Sequence, residues 1–138
     1  METQISFKHI GWVTNYPKKF EEFWVDILGF KNIWESKLSS ALCKDLFNIN
    51  CGATCKRYEK NGITIEIHIF DKMVAKNKGN FDHYGLNHIC LLVEDRDKFI
   101  EEMEKQGIEV HTYNNPKGHQ NIFIKDLEGN WIEIYANL

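Results

Sequence analysis

An internal repeat constrains this 138-residue chain more than any other feature of its sequence. Residues 7–13 and 86–92 are both apolar runs with a histidine at the third position, and their offset is 79 residues (88 − 9). Residues 62–67 and 129–134 both read Gly, three residues, Glu and Ile, with an offset of 67 (133 − 66). Self-similarity of this kind predicts two copies of one structural unit, each close to the lower size limit for a core of its own.

Each half predicts the same succession of a strand, a helix and further strands. Apolar runs between turn signals predict these strands: 5–14, 31–37, 52–59 and 62–70 in the first half, and 85–94, 108–113, 120–126 and 130–136 in the second. The first half holds twelve more residues (79 − 67), and residues 39–50 suggest a short extra helix there. The polar segment 71–83 predicts a linker, so we expect one domain over 1–138 with modules at 1–75 and 82–138.

The helix of each half is predicted from apolar residues that recur on one helical face. Phe20, Phe23 and Trp24 begin such a face in the first half, and Phe99 and Met103 belong to one in the second. Capping residues and glycines predict where these helices begin and end. The residues that mark the ends are Asn15, Pro17 and Gly29 in the first half, and Asp95 or Asp97 and Gly107 in the second.

Composition narrows the class of function. The hydrophobic fraction is 43%, the formal net charge is −3 and the pI is about 6.1. The hydrophobic fraction excludes a disordered chain. The net charge and the pI do not favour nucleic acid or an anionic membrane as a partner. No apolar run approaches the ~18 residues of a membrane span. The start of the chain does not read as a signal peptide, so we expect a cytoplasmic protein.

The four cysteines show no Cys-x-x-Cys spacing, and a cytoplasmic location predicts that their thiols are reduced. Cys90 is predicted to be a small buried apolar residue in a strand. Cys51 and Cys55 are a weak metal signal, and unligated strand or loop thiols are the simpler interpretation of both.

Two histidines and two glutamates stand inside apolar runs at equivalent positions of the two halves. They are His9 and Glu66 in the first half and His88 and Glu133 in the second. Because side chains alternate along a strand, each glutamate points away from the isoleucines that flank it. A carboxylate within a buried strand is costly unless it is paired or binds a metal. If the first and last strands of each half are neighbours, the four side chains can form a His2Glu2 site for a divalent metal.

The repeated segments also resemble a known family. Residues 9–13, 26–30, 86–90 and 126–134 resemble motifs of the vicinal oxygen chelate superfamily, which includes glyoxalase I, extradiol dioxygenases and fosfomycin resistance proteins. The resemblance covers essentially the whole chain. It implies an α+β fold of two tandem βαβββ modules, whose curled mixed sheets form a metal cleft.

The resemblance also implies a ligand set. In glyoxalase I the positions that match His9, Glu66, His88 and Glu133 all bind the metal, and all four residue types are present here. Extradiol dioxygenases and fosfomycin enzymes use two histidines and one glutamate, a pattern that needs His9, His88 and Glu133 and leaves Glu66 as a bystander. Bleomycin-binding members lack the ligands.

Glyoxalase-like chemistry is therefore the expected activity, of the lactoylglutathione lyase type. A divalent ion such as Ni, Zn, Co, Mn or Fe would acidify a C–H bond of an oxygen-chelating small molecule, and a nearby carboxylate would move the proton. We expect Glu133 to be the catalytic base and Glu66 a ligand or second base. Glutathione is a possible co-substrate, but Val13 stands where many glutathione-dependent members carry an arginine.

Several alternatives stay open at this point. A dioxygenase or a fosfomycin-type enzyme would fit the same fold, and so would a metal-free binding module in which each histidine satisfies a glutamate. Exposed sheet edges favour a homodimer. His68 shares the face of Glu66 and could replace it as a ligand or line the cleft. His119 lies in a glycine-containing loop and could contact substrate, whereas His83 is expected to be solvated in the linker.

Overall fold

The computed structural model describes residues 3–76, 81 and 84–136. The chain forms two compact units, one up to Ala75 and the other from Lys76 onward, called module one and module two below. Module one contains these elements: β1 (Ile10–Val13), α1 (Pro17–Glu21), β2 (Lys31–Leu38), α2 (Ser40–Phe47), β3 (Ala53–Lys60) and β4 (Ile63–Phe70). Module two contains these: β5 (His88–Val93), α3 (Arg96–Lys105), β6 (Val110–Asn114), β7 (Gln120–Lys125) and β8 (Trp131–Ala136).

The two sheets have the same topology. The strand order is β1-β4-β3-β2 in module one and β5-β8-β7-β6 in module two. In each sheet the first and last strands of the module run parallel to one another, and the other pairs are antiparallel. The predicted α+β fold of two tandem βαβββ modules is therefore confirmed. The extra helix of the first half is confirmed as α2, which begins at the cap Ser39.

The core of each module lies on one face of its sheet. Continuous with α1, residues Glu22–Ile27 form a π-helical turn that carries the aromatic face onto the sheet. The ring of Phe20 lies 4.9 Å from that of Tyr58, and α3 packs against β6 and β8. The buried apolar residues include Phe20, Phe23, Trp24, Tyr58, Ile65 and Ile67 in module one and Met103, Ile108, Ile122, Ile124, Ile132 and Ile134 in module two.

Most of the predicted helix ends are confirmed, but the cap of α1 is not. Pro17 begins α1, Gly29 follows its π-helical turn with a φ of +79°, and the side chain of Asp95 accepts from the backbone N–H of Lys98. Asn15 does not cap the helix. Its side-chain amide instead bonds the backbone N–H and carbonyl of Val74, so its polar atoms connect the two ends of module one.

The first strand is shorter than predicted. It begins at Ile10 rather than at residue 5, and both Ile5 and Phe7 are exposed. Because parallel pairing with β4 starts at Ile10 opposite Ile65, the residues before it have no ladder partner. His9 thus lies directly before β1 rather than within a strand. His83, the histidine predicted to be solvated in the linker, lies outside the described residues.

A two-residue turn sets the register of the β3–β4 hairpin. Asn61 and Gly62 have φ values of +50° and +80°, which is the conformation that Asn-Gly favours in tight hairpins. Lys60 therefore pairs with Ile63, and the pairing continues to the far end of both strands. Within the described residues, no helix combines the length and apolar character needed to cross a bilayer.

Candidate metal centre

The first predicted pair meets in module one. β1 and β4 run side by side, and Gly11 pairs with Glu66, which places His9 two residues earlier on the same face of the sheet. The Nε2 atom of His9 lies 3.7 Å from Oε1 of Glu66. Both side chains are largely buried, with exposed fractions of 28% and 12%. Since 3.7 Å exceeds the length of a hydrogen bond, the two groups do not satisfy each other.

The second predicted pair meets in module two with the same register. Cys90 pairs with Glu133, which again places the histidine, His88, two residues earlier on the same face. Its Nε2 atom lies 3.4 Å from Oε2 of Glu133. The Nδ1 atom of His88 is 2.5 Å from Oδ1 of Asn87. In the neutral tautomer that donates from Nδ1 to this amide oxygen, Nε2 carries the lone pair, and Nε2 is the atom nearest Glu133.

Sequence reasoning missed the strongest partner of Glu66. The Nε atom of Arg57 donates a 2.6 Å hydrogen bond to Oε2 of Glu66, so only Oε1 faces His9. Burial is the largest influence on the pKa of Glu66 and raises it. The Arg57 hydrogen bond and the neighbouring positive charges outweigh burial and hold the pKa below its ordinary value of 4.5. Glu66 is thus a carboxylate at neutral pH.

The signal for Arg57 was present in the sequence. A two-residue Asn61–Gly62 turn pairs residues whose numbers add to 123, which puts Arg57 opposite Glu66 and Cys55 opposite His68. The turn residues alone do not reveal this proximity unless the pairing is counted outward from the turn. The Nε2 atom of His68, the predicted alternative ligand, lies 3.7 Å from Oε1 of Glu66, the same distance as that of His9.

A thiol completes the surroundings of Glu66. Ligand atoms of Cys55, Glu66 and His68 lie within 4.8 Å of one another, so these residues form a second possible donor set in module one. Burial, followed by the charge of Glu66, raises the pKa of the Cys55 thiol to about 11. The thiol is therefore protonated at neutral pH in the absence of a metal. Cys51, the other cysteine of the weak metal signal, is not in this group.

Cys90 corrects a prediction. It lies in β5 as expected but is exposed rather than buried, because it shares the face of His88 and not the core face. Burial of the sulfur atom, followed by the charge of Glu133, raises the pKa of its thiol. Neither Cys55 nor Cys90 therefore has the lowered pKa of an activated nucleophile.

The site faces of the two modules differ in character. In module two, Phe123 is the cross-strand neighbour of Glu133. In module one, Arg57 occupies the equivalent position beside Glu66. The rings of Phe123 and Phe81 lie 5.3 Å and 5.6 Å from the ring of His88. Module two therefore surrounds its histidine with aromatic rings, whereas module one surrounds its glutamate with polar groups.

Two aromatic residues and a further histidine are the remaining candidates for the site. Phe47 contacts the ring of His68 at 5.5 Å and so borders the site, whereas Trp12 packs in the core against Phe20. The carbonyl of His119 accepts from the N–H of Asn115, and its own N–H donates to Oδ1 of Asn115. No contact joins His119 to His88 or Glu133 in the described part of module two. Its predicted role in substrate contact stays a prediction.

The donor atoms fit a divalent ion. Two ligands bound at about 2.0–2.2 Å to one ion lie about 3–3.5 Å apart, close to the 3.7 Å and 3.4 Å of the two pairs. The Nδ1 atom of His9 is also buried without a hydrogen-bond partner among the described residues. A half-buried histidine with one buried, unpaired nitrogen and no close hydrogen bond from the other is a costly arrangement in a purely structural role.

Comparison with known families agrees with this geometry. Residues 6–134 match the family described as Glyoxalase/Bleomycin resistance protein/Dioxygenase superfamily. The chain belongs to this superfamily. Its predicted membership is thereby confirmed, and the repeated His and Glu positions lie within the matched residues.

Solved structures of superfamily members share the fold at low identity. A glyoxalase family protein from Enterococcus faecalis is 22% identical, with a TM-score of 0.71 over 94% of this chain and 95% of that one. A fosfomycin resistance protein from Listeria monocytogenes is 18% identical, with a TM-score of 0.63 over 100% and 96%. A lactoylglutathione lyase from Agrobacterium tumefaciens is 14% identical, with a TM-score of 0.63 over 99% and 96%. These likenesses establish the fold and leave the activity open.

Proposed function

We propose that this superfamily member is a metal-dependent enzyme of the glyoxalase class, which promotes proton transfer on a small oxygen-chelating substrate. The observation that carries the proposal is the duplicated pair: His9 with Glu66 and His88 with Glu133 occupy equivalent places in both modules. In neither pair do the donors form a close direct hydrogen bond. We propose that the two pairs together bind one divalent ion.

The residues would divide the chemistry between them. When bound, the ion supplies Lewis acidity that polarises the substrate's oxygens and makes the adjacent C–H bond more acidic. Asn87 would orient His88 by accepting a proton from its Nδ1, which leaves Nε2 for the ion. The rings of Phe81, Phe123 and Trp131 contact one another on this side of the site and give it an apolar border.

Glu133 is our candidate for the group that moves the proton. Glu66 has one oxygen bound to the Arg57 guanidinium. Glu133 has no hydrogen bond to a lysine or arginine among the described residues of its module, since the cation Lys125 bonds Glu109 instead. A carboxylate without a bound cation is the better proton acceptor of the two.

Metal analysis tests the joint site. Protein purified without chelator should hold about one Ni, Zn, Co, Mn or Fe per chain, as one shared His2Glu2 site requires. His9→Gln in module one and His88→Gln in module two should each remove most of that metal. If the two pairs were independent sites, either substitution would remove at most half of the bound metal. If the protein held no metal even after metal was added, the metal chemistry would be excluded.

The activity test begins with methylglyoxal and glutathione. Glu133→Gln should keep the fold and metal but lower turnover by about a hundredfold or more, the usual contribution of a general base. Glu94→Gln is the matched control, because Glu94 is exposed just beyond β5. Full activity of the Glu133 variant would rule out the proton-transfer role.

One observation favours a second candidate, a three-ligand enzyme of the dioxygenase or fosfomycin type. Arg57 already occupies Oε2 of Glu66, so Glu66 can act as the counter-ion of Arg57 rather than as a ligand. The substitution Glu66→Gln separates the two candidates. It should weaken metal binding strongly if four ligands are used and only slightly if three are used. Oxygen uptake with Fe(II), or turnover of fosfomycin, would then identify the activity.

We further propose a cytoplasmic homodimer. The described cysteines Cys43, Cys51, Cys55 and Cys90 are all free thiols, as expected in a reducing compartment. Each sheet also ends in strands with one unpaired edge, which a second copy of the chain can cover. Sedimentation velocity of the purified protein should give a mass near twice 16.3 kDa.

A further inference from the structure

The guanidinium of Arg57 has binding capacity that its known contacts do not use. An arginine side chain carries five N–H donors. In Arg57 only Nε is engaged, by Oε2 of Glu66, and the Nη atoms have no hydrogen-bond partner among the described residues. The side chain is 31% exposed, so part of it is open to solvent.

A bulge in β2 turns an aromatic ring onto this guanidinium. Asn32 pairs with Tyr58, but Trp34 rather than Ile33 pairs with Arg57, so Ile33 is the extra residue of the bulge. Without this extra residue, the regular register would place Trp34 on the opposite face of the sheet from Arg57. The ring of Trp34 instead lies 4.4 Å from the guanidinium carbon. Bulges often redirect side chains in this way beside functional sites.

Two long hydrogen bonds span the bulge. The side-chain amide of Asn32 donates to the backbone carbonyls of Trp34 and Arg57, both at 3.4 Å. Glu66 fixes the Nε side of the guanidinium, and Trp34 covers one of its faces. The Nη edge is therefore presented in one orientation, and such preorganisation lowers the entropy cost of binding a ligand.

The equivalent position of module two does not carry an arginine. The row Trp34–Arg57–Glu66 of module one corresponds in register to His111–Phe123–Glu133 of module two. Module two builds the same three-strand row around a phenyl ring. The polar row is thus specific to one module, which points to recognition rather than to packing.

We propose that the Nη edge of Arg57 binds an oxyanion group of the substrate, a carboxylate or a phosphate-like group. Guanidinium groups bind both oxyanions through paired N–H donors, and an aromatic ring on one face shields that contact from water. The inference rests on the proposed function for its placement beside the metal ligand Glu66. It specifies a substrate that carries a separate anionic group in addition to its chelating oxygens.

The test uses the full chain, a chelator and two named probes, inorganic phosphate and acetate. The sequence contains only two arginines, Arg57 and Arg96, so ¹⁵N-arginine labelling yields two Nε–H signals and the variant Arg57→Lys assigns them. Arg96 is the internal control, because its guanidinium donates to the carbonyl of Gln120 in module two. The Arg57 signal should shift saturably with at least one probe while the Arg96 signal stays in place.

Two variants separate binding from structure. Arg57→Gln should weaken probe affinity at least tenfold, equivalent to about 1.4 kcal/mol, and Trp34→Leu should weaken it while the Arg57–Glu66 bond is kept. Stronger binding of phosphate or of acetate identifies the anionic group of the substrate. No saturable shift with either probe, or equal shifts of both arginines, overturns the proposal. Because metal is absent throughout, this outcome is independent of the metal and activity tests.

Discussion

Replacing Arg57 by methionine would expose how strongly the fold depends on the ion pair with Glu66. The pair has an Nε–Oε2 distance of 2.6 Å, and the exposed fractions of its side chains are 31% and 12%. Exposed ion pairs contribute about 0–1 kcal/mol, whereas removing one partner of a buried pair costs about 3–5 kcal/mol. A pair of intermediate burial should therefore lose about 2–3 kcal/mol in Arg57→Met, mainly because Glu66 keeps its charge without a partner.

Urea unfolding followed by tryptophan fluorescence measures this loss, since three of the four tryptophans, Trp12, Trp24 and Trp34, lie in module one. With an m-value of about 1.5 kcal/mol/M, the midpoint should fall by about 1–2 M. The double variant Arg57→Met/Glu66→Gln should recover at least half of the loss, because it removes the unpaired charge. A single-variant loss below about 0.5 kcal/mol, or no recovery in the double variant, would refute the reasoning.

The pH dependence gives an independent check with chelator present. In the wild type, the pKa of Glu66 is below its ordinary value of 4.5, so its contribution to stability is present above that value and lost as the pH falls through the folded-state pKa. Without Arg57, the carboxylate loses a hydrogen bond and a positive charge while its burial remains, so the pKa of Glu66 should be higher than in the wild type. The stability deficit of the variant against the wild type should therefore shrink on acidification. A deficit that stays constant with pH would contradict this.

Two further predictions concern the scaffold outside the site. Tyr58→Phe should cost about 1–2 kcal/mol at neutral pH, because the buried hydroxyl donates a 2.6 Å hydrogen bond to Glu21. That hydrogen bond is the largest cause of the lowered pKa of Glu21, so its contribution is lost as the pH falls below 4.5, and the unfolding curves of variant and wild type should converge in acid. Gly62→Ala should lower stability by about 1 kcal/mol in urea unfolding because Gly62 has a φ of +80°, whereas Asn61→Gly should be nearly neutral at its φ of +50°. Equal losses for the two turn variants would show that backbone conformation is not the cause.

The sequence by itself determined the duplicated architecture and the two His–Glu pairs. Repetition of residues 7–13 at 86–92 required equivalent first strands, and strand alternation put Glu66 and Glu133 on the face opposite the buried isoleucines. These properties follow from periodicity and from the cost of burying a charge, both of which are local. For the same reason the glycines and Asp95 were correctly placed at helix ends.

Only the tertiary structure decided which groups surround those pairs. Local preference makes Asn15 a plausible helix N-cap, but its side chain instead donates a longer-range hydrogen bond to the carbonyl of Val74. Trp34 reaches Arg57 because a bulge shifts the β2 register by one residue. The residue types in 31–38 do not predict that bulge. Cross-strand neighbours are set by register, which depends on turns and bulges far from the residues concerned. The two glutamates therefore look equivalent in sequence, yet Glu66 is bound to an arginine and Glu133 has a phenylalanine as its cross-strand neighbour.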